Sequence, residues 1–278
     1  MLKKLTFVFT VLVCGSAFGQ SAYDLGDQKY QPSLGQSGKD VIWIPTGNEL
    51  VNKMLTIANV GPTDLVYDLG AGDGKIAIAA AKDFGARAVG IEYNADMAAL
   101  GQRNAERAGV ANRVKIIQGD IFKEDFSKAS VVTLYLLPEL NYKLRPTILK
   151  MKPGTRVVSH AFNMVDWQPD GEIDSPARGY FWVVPAPIAG EWVLANFDLQ
   201  NSAVLSLQQK FQFVGGNLTF GGRTQPILNA KLRGDKLQFS YVDRDSKLTT
   251  VNLTFNDSKV KGEENSGYMA REFSGYLQ

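Results

Sequence analysis

Seven residues, Asp68-Leu69-Gly70-Ala71-Gly72-Asp73-Gly74, constrain this chain more than any other stretch. They follow the apolar run LVYDLG and precede KIAIAAAKDF at helical spacing, so they read as the turn from a strand into a helix. Glycines there permit positive φ and let a ligand approach the backbone, while the first turn of the helix offers amide donors. The spacing is acidic-x-G-x-G-x-G, unlike the G-x-G-x-x-G of a dinucleotide pyrophosphate site. A carboxylate at Asp68 suits a ligand amine better than a phosphate.

Strand and helix patterns alternate around this turn: AVGIEY, ADMAALGQRNAERAG, RVKIIQ, ASVVTLYLL, ELNYKLRPTILKM and TRVVSHAF. Strands joined by helical crossovers imply an α/β fold, a Rossmann-like, doubly wound, mainly parallel sheet with helices on both faces. Thr46 and Glu49 have the spacing of a capping box that opens a helix running to about Asn59. After Trp167-Gln168-Pro169-Asp170-Gly171 the helical period stops, and β-branched and aromatic residues alternate with polar ones between frequent turn signals. A smaller antiparallel all-β domain, a β-sandwich or small barrel, is expected over 190–278, with GYFWVVP belonging to either unit. The Arg233-Gly234-Asp235 triplet reads as a hairpin turn.

The first twenty residues carry Lys3 and Lys4, an apolar run from Leu5 to Val13 and small residues ending at Gly19, the layout of a secretory signal peptide. Export to the periplasm or medium is the expectation, and a membrane anchor is the alternative. Residues 21–39, rich in Gly, Ser, Gln and Pro, read as an extended linker, which leaves 40–189 for the α/β domain. Cleavage would remove Cys14, the single cysteine, and with it any disulfide, thiol nucleophile or zinc–cysteine site; no metal is expected. It would also take the formal charge from +2 to about zero, so nothing in the overall charge indicates nucleic acid.

Two further acids stand at successive strand ends. Glu92 closes AVGIE, where open α/β sheets place a carboxylate against ribose hydroxyls. Asp120, in Gly119-Asp120-Ile121-Phe122, has the position to accept from an adenine amine with Ile121 beside the ring. Ligands of such sheets bind at the carboxyl ends of the strands, so three acids and three glycines there point to one nucleoside-bearing ligand with an amine.

The blocks VYDLGAGDGKIAIAAAK, AVGIEYN and GDIF resemble the first three motifs of class I S-adenosylmethionine-dependent methyltransferases. More narrowly, IPT with VNKML, VVTLYLLPELNYKLRP and GTRVVSHAF resemble the lysine methyltransferases of the ATP synthase c-subunit, distant relatives of the Dot1-type enzymes. The resemblance covers about half of the chain, from 40 to 170. It implies S-adenosyl-L-methionine as cofactor, with Asp68, Gly70 and Gly72 at its methionine end, Glu92 at the ribose and Asp120 and Ile121 at the adenine. It also implies a methyl acceptor, with a protein lysine as the suggested one.

The fourth strand ends Leu134-Tyr135-Leu136-Leu137-Pro138-Glu139 and lacks the Asn/Asp-Pro-Pro-aromatic pattern of methyltransferases that act on adenine or glutamine amides. Tyr135 and Glu139 are the candidates for the acceptor pocket; a core aromatic and a first-turn acid are their plainer readings. The single histidine, His160, reads as a hydrogen-bonded structural residue, with an acid–base role as the alternative. Trp43 and Trp167 are candidates to close the pocket. Two other functions stay open, an exported binding protein for S-adenosylmethionine or a nucleoside without turnover, and a small-molecule methyltransferase. Oligomeric state is not legible.

Overall fold

A computed structural model describes residues 25–198, 201–265 and 270–278; the expected signal segment at 1–20 lies outside the described residues. The first unit runs α1 (Asn48–Ile57), β1 (Leu65–Leu69), α2 (Lys75–Phe84), β2 (Arg87–Glu92), α3 (Ala95–Arg107), β3 (Val114–Gln118), β4 (Val131–Leu134), α4 (Pro138–Ile148), β5 (Arg156–His160), β6 (Gly171–Ile173) and β7 (Gly179–Val183). Its sheet has the order β3-β2-β1-β4-β5-β7-β6. The first five strands are parallel, each return made by a helix or a long crossover; β7 is antiparallel to both β5 and β6, and no helix separates these three. The run GYFWVVP thus completes this sheet.

The two faces of the sheet are covered unequally. Leu50 and Met54 of α1, Ile76 and Ala80 of α2, and Ala98 and Ala105 of α3 pack with Val66, Ala88, Val131 and Val158 on one face. On the other, α4 contributes Leu144 and Ile148 against Leu69, Val132 and Val157. Trp167 and Trp182, both fully buried, fill what a second helix would cover. An aromatic of this size takes about 150–250 Å² out of water.

Local sequence sets the helix ends. Gly74 (φ 82°) and Gly85 (φ 73°) bracket α2 in left-handed conformations, and Asn94 Oδ1 accepts from Met97 N (3.0 Å) to start α3. The expected capping box at α1 does not form. Gly47 is the N-cap, without a side-chain bond, and the Thr46 hydroxyl is turned away to share a 3.0 Å hydrogen bond with His160 Nδ1.

The second unit is a nine-stranded antiparallel sheet: β8 (Gly190–Asp198), β9 (Asn201–Lys210), β10 (Phe213–Phe220), β11 (Arg223–Pro226), β12 (Leu228–Arg233), β13 (Lys236–Val242), β14 (Leu248–Asn256), β15 (Lys259–Asn265) and β16 (Ala270–Leu277). The order is β11-β10-β9-β8-β16-β15-β14-β13-β12. Alternate residues point inward, among them Trp192, Phe197, Leu205, Phe239 and Val251. Ile227 is the single residue between β11 and β12 and extends the β10–β11 ladder by donating to Gly216 O (3.0 Å), so the chain passes directly from one edge strand of the sheet to the other and the form is barrel-like. Of the two forms expected, sandwich or barrel, the chain adopts the latter.

The barrel is docked on the first unit. The β9–β10 turn places Phe211 against Trp167 (ring centroids 5.9 Å), and Trp167 Nε1 donates to Gln212 Oε1 (3.0 Å). Two glycine turns meet nearby: Gly154 N donates to Val184 O and Ala186 N donates to Gly234 O (2.8 Å each). A Cβ on Gly234 (φ 61°) would stand 3.0 Å from Gly154 Cα. The Arg233-Gly234-Asp235 triplet is this turn. Among the described residues no helix is long and apolar enough to cross a membrane.

Candidate functional site

Where β1 ends, Gly70 (φ 83°), Gly72 (φ 56°) and Gly74 (φ 82°) take conformations that side chains disfavour. The amides of Gly70 and Ala71 both donate to Ile91 O (2.9 and 3.0 Å), and Gly72 N donates to Glu92 Oε2 (2.8 Å). The loop is thereby fastened to the end of β2. A Cβ on Gly74 would press on Gly101 of α3 at 3.3 Å, so this glycine also sets how closely α2 and α3 approach.

The acids at the strand ends sit in different surroundings. Asp68 is 2% exposed and accepts from Thr133 Oγ1 (2.7 Å). Burial pushes its carboxyl up to about 7; the Thr133 bond opposes that, and the charges of Asp73 and Glu92 add to it. Glu92 holds both oxygens in place, Oε2 on Gly72 N and Oε1 on Asn94 N (2.9 Å). Asp120 Oδ1 accepts from Phe122 N and Oδ2 from Lys39 Nζ (3.0 Å each). Those two bonds, the backbone one first, hold its carboxyl below the usual range.

The segment ahead of the fold, expected as a linker, is part of the site. Asp27 pairs with Arg103 and Arg107 of α3. Residues 35–43 then form a short hairpin in which Gly35 N donates to Trp43 O and Trp43 N to Gln36 O (2.9 Å each). Lys39 stands 5.0 Å from the ring centroid of Tyr93, and the Trp43 indole lies over Gly72. The polar composition of this segment carries no signal of where it lands beyond Trp43.

Arm, glycine loop and strand ends enclose a cavity of about 680 Å³. Asp68, Gly70, Gly72, Glu92, Asp120, Ile121 and Tyr135 all line it. Glu139 does not: it lies in the first turn of α4, where the helix dipole favours an acid, and is exposed to solvent. Trp43 lines the cavity, whereas Trp167 is buried beneath the barrel. Thr46, Leu137, Leu140 and Phe162 complete the end near Tyr135. Sequence reasoning missed Thr46, whose role depends on a residue 114 positions away.

The chemistry of the lining fits S-adenosylmethionine. A buried carboxyl at Asp68 whose hydrogen-bond partner is a neutral hydroxyl suits an ammonium group, two fixed carboxylate oxygens at Glu92 suit vicinal hydroxyls, and Ile121 beside Asp120 suits an amine-bearing ring.

Residues 68–171 match the ANTKMT methyltransferase domain. The chain is 47% identical over 131 residues to a protein-lysine N-methyltransferase of Saccharolobus islandicus, covering 46% of this chain and 81% of that protein. It is 36% identical over 106 residues to the mouse lysine N-methyltransferase of the ATP synthase c-subunit, covering 38% of this chain and 42% of that protein. A crystal structure described as an RNA methyltransferase from Salinibacter ruber, in complex with S-adenosyl-L-homocysteine, is similar with a TM-score of 0.51 and 49% identity, over 52% of this chain and 96% of that one. With its glycine loop, its sheet order and four fifths of the Saccharolobus relative matched, the chain belongs to the ANTKMT family of S-adenosylmethionine-dependent methyltransferases.

Proposed function

We propose that the protein is an N-methyltransferase whose acceptor is a lysine side chain of another protein. The observation that carries this reading is the charge of the cavity. Five acidic side chains line it, Asp40, Asp68, Asp73, Glu92 and Asp120, against two basic ones, Lys39 and Lys75, an excess of acid that remains with buried Asp68 protonated. An acidic cleft draws in a cationic acceptor and disfavours the phosphates of a nucleic acid. The names of the Saccharolobus and mouse relatives support the same acceptor.

Bound S-adenosylmethionine supplies a methyl group made electrophilic by its sulfonium. Asp68, ionised, would hold the amine of the methionine end, Glu92 the ribose hydroxyls, and Asp120 with Ile121 the adenine. The protein's work is alignment of the acceptor nitrogen with the S–C bond and exclusion of water. At the Tyr135 end the lining is apolar, with Leu137, Leu140 and Phe162. Desolvation there lowers the pKa of an entering ammonium and favours the neutral amine that reacts.

The test is methyl-labelled S-adenosylmethionine with total protein, total nucleic acid and total metabolites of the source organism, followed by mass spectrometry of the labelled groups. Label on lysine supports the proposal. Label on nucleic acid or on small metabolites overturns the acceptor, and tight cofactor binding without label in any fraction would favour a binding protein. Export through residues 1–20 belongs to the same proposal, and fractionation checks it: the mature chain should begin near Gln20 outside the cytoplasm.

A further inference from the structure

Behind the apolar end of the cavity, His160 touches two of its lining residues without lining it itself. Its ring stacks on Tyr135, with centroids 3.8 Å apart and planes at 28°. Its Nδ1 shares a 3.0 Å hydrogen bond with the hydroxyl of Thr46, which is 4% exposed. Tyr135 follows β4, Thr46 ends the N-terminal arm, and His160 is the last residue of β5. One imidazole therefore joins the arm that roofs the cavity to the aromatic ring at its acceptor end.

The backbone under His160 is held from several sides. His160 pairs with Gly179 of β7, Phe162 N donates to His160 O (2.8 Å), and Ala161 N donates to Arg178 O (2.8 Å). Ala161 has φ 65°, a turn that sends Phe162 back toward the cavity. Fully buried Asn141 of α4 donates from Nδ2 to Phe162 O (3.1 Å). Burial lowers the pKa of the imidazole, so at neutral pH the ring is uncharged and can share a proton with a hydroxyl without a counter-ion.

We infer that His160 is a positioning residue for methyl transfer, fixing the Tyr135 ring and the Thr46 hydroxyl in one arrangement at the acceptor end. The inference rests on the reading that the acceptor nitrogen enters beside Tyr135. It ties the placement of the arm to the alignment of the acceptor, because Thr46 and Tyr135 are held by the same imidazole. In-line transfer is sensitive to small displacements of the acceptor, so loosening this stack is felt in turnover and not in cofactor affinity.

Because His160 is the only histidine of the sequence, the full-length protein labelled at histidine gives a single imidazole signal in NMR. That signal should move on addition of S-adenosyl-L-homocysteine, and again on Thr46→Val with the far-UV circular dichroism and Tm of the variant native. Turnover is read as label passed from methyl-labelled S-adenosylmethionine to total protein of the source organism, and cofactor affinity by calorimetry. His160→Ala should lower turnover by roughly 10- to 100-fold with cofactor Kd within about threefold of native. His160→Phe keeps the stack and His160→Asn keeps a partner for Thr46; each should recover part of the loss. Equal loss of turnover and cofactor affinity in all three, with lowered Tm, would reduce His160 to a structural role and overturn the inference. Native turnover in His160→Ala with strong loss in Tyr135→Ala overturns it alone, and native turnover in both variants overturns the acceptor reading beneath it.

Discussion

The carboxylate of Glu92 accepts the amide of Gly72 at 2.8 Å, so the acid at the end of β2 and the glycine loop after β1 are one rigid piece. Glu92→Ala should weaken S-adenosylmethionine by about 1–3 kcal/mol, roughly 5- to 150-fold in Kd, because ribose hydroxyls lose a charged acceptor and the loop loses its tie. Glu92→Gln should lie between, since an amide oxygen can still accept. Calorimetry decides; an unchanged Kd in Glu92→Ala would put the ribose elsewhere.

Gly72 combines φ 56° with the Trp43 indole 2.7 Å from where a Cβ would stand. Gly72→Val therefore strains the backbone and displaces the arm together, and should abolish cofactor binding while leaving far-UV circular dichroism native. Retained affinity would remove this loop from the site.

Asp68 links ligand binding to pH. Its carboxyl has a folded pKa of about 7 against an ordinary 3.8, so the fold binds a proton that the unfolded chain has released. The stability this contributes is complete below about pH 4 and is lost as pH rises through about 7. An ammonium ligand needs the charged form, so affinity for S-adenosyl-L-homocysteine should rise about tenfold per unit from about pH 5.5 toward 7 and then level. Asp68→Asn should raise the Tm of the ligand-free protein at about pH 8 and abolish cofactor binding. A flat affinity profile across roughly pH 5.5–7.5 would show that no ligand amine meets Asp68.

The arm depends on a latch far from the cavity. Asp27, whose carboxyl Arg103 holds well below the usual range, anchors the arm to α3. Asp27→Asn should expose residues 28–42 to limited proteolysis at a rate that bound S-adenosyl-L-homocysteine suppresses, read by mass spectrometry of the fragments. Equal cleavage rates in native and variant protein would show that Lys39 and Trp43 alone hold the arm.

Phe211 joins barrel to sheet. Its half-buried ring packs on Trp167 and lies 5.3 Å from the Arg145 guanidinium. Phe211→Ala should destabilise the protein by about 1–2 kcal/mol, below the cost for a fully buried phenylalanine, and the urea midpoint measures it. A change of midpoint in only one of two separate transitions would show that the units unfold independently.

The parallel half of the first sheet and the place of Asp68, Gly70, Gly72, Glu92, Asp120 and Ile121 at its strand ends were legible, because period and spacing are local properties. What the sequence hid is set by partners far along the chain. Thr46 and Glu49 spell a capping box, yet the hydroxyl is worth more to a half-buried imidazole 114 residues away than to an exposed helix end. Residues 21–39 look like a linker because the contacts of their described part, Asp27 to α3 and Lys39 to Asp120, are ionic and made at single points. Glu139 satisfies the same short-range pattern as a pocket residue and a first-turn acid, and only the direction of α4 separates the two.

The close approach of Gly154 and Gly234 leaves no room for a side chain between the two units. A Cβ at Gly234, where φ is already 61°, would stand 3.0 Å from Gly154 Cα and 3.1 Å from Gly154 N, both main-chain atoms that cannot swing aside. The segment between the units is tied to each by one main-chain bond, Gly154 N to Val184 O and Ala186 N to Gly234 O. The middle residue of the Arg-Gly-Asp triplet at 233–235 is thus demanded by space at the seam, whatever stands on either side of it.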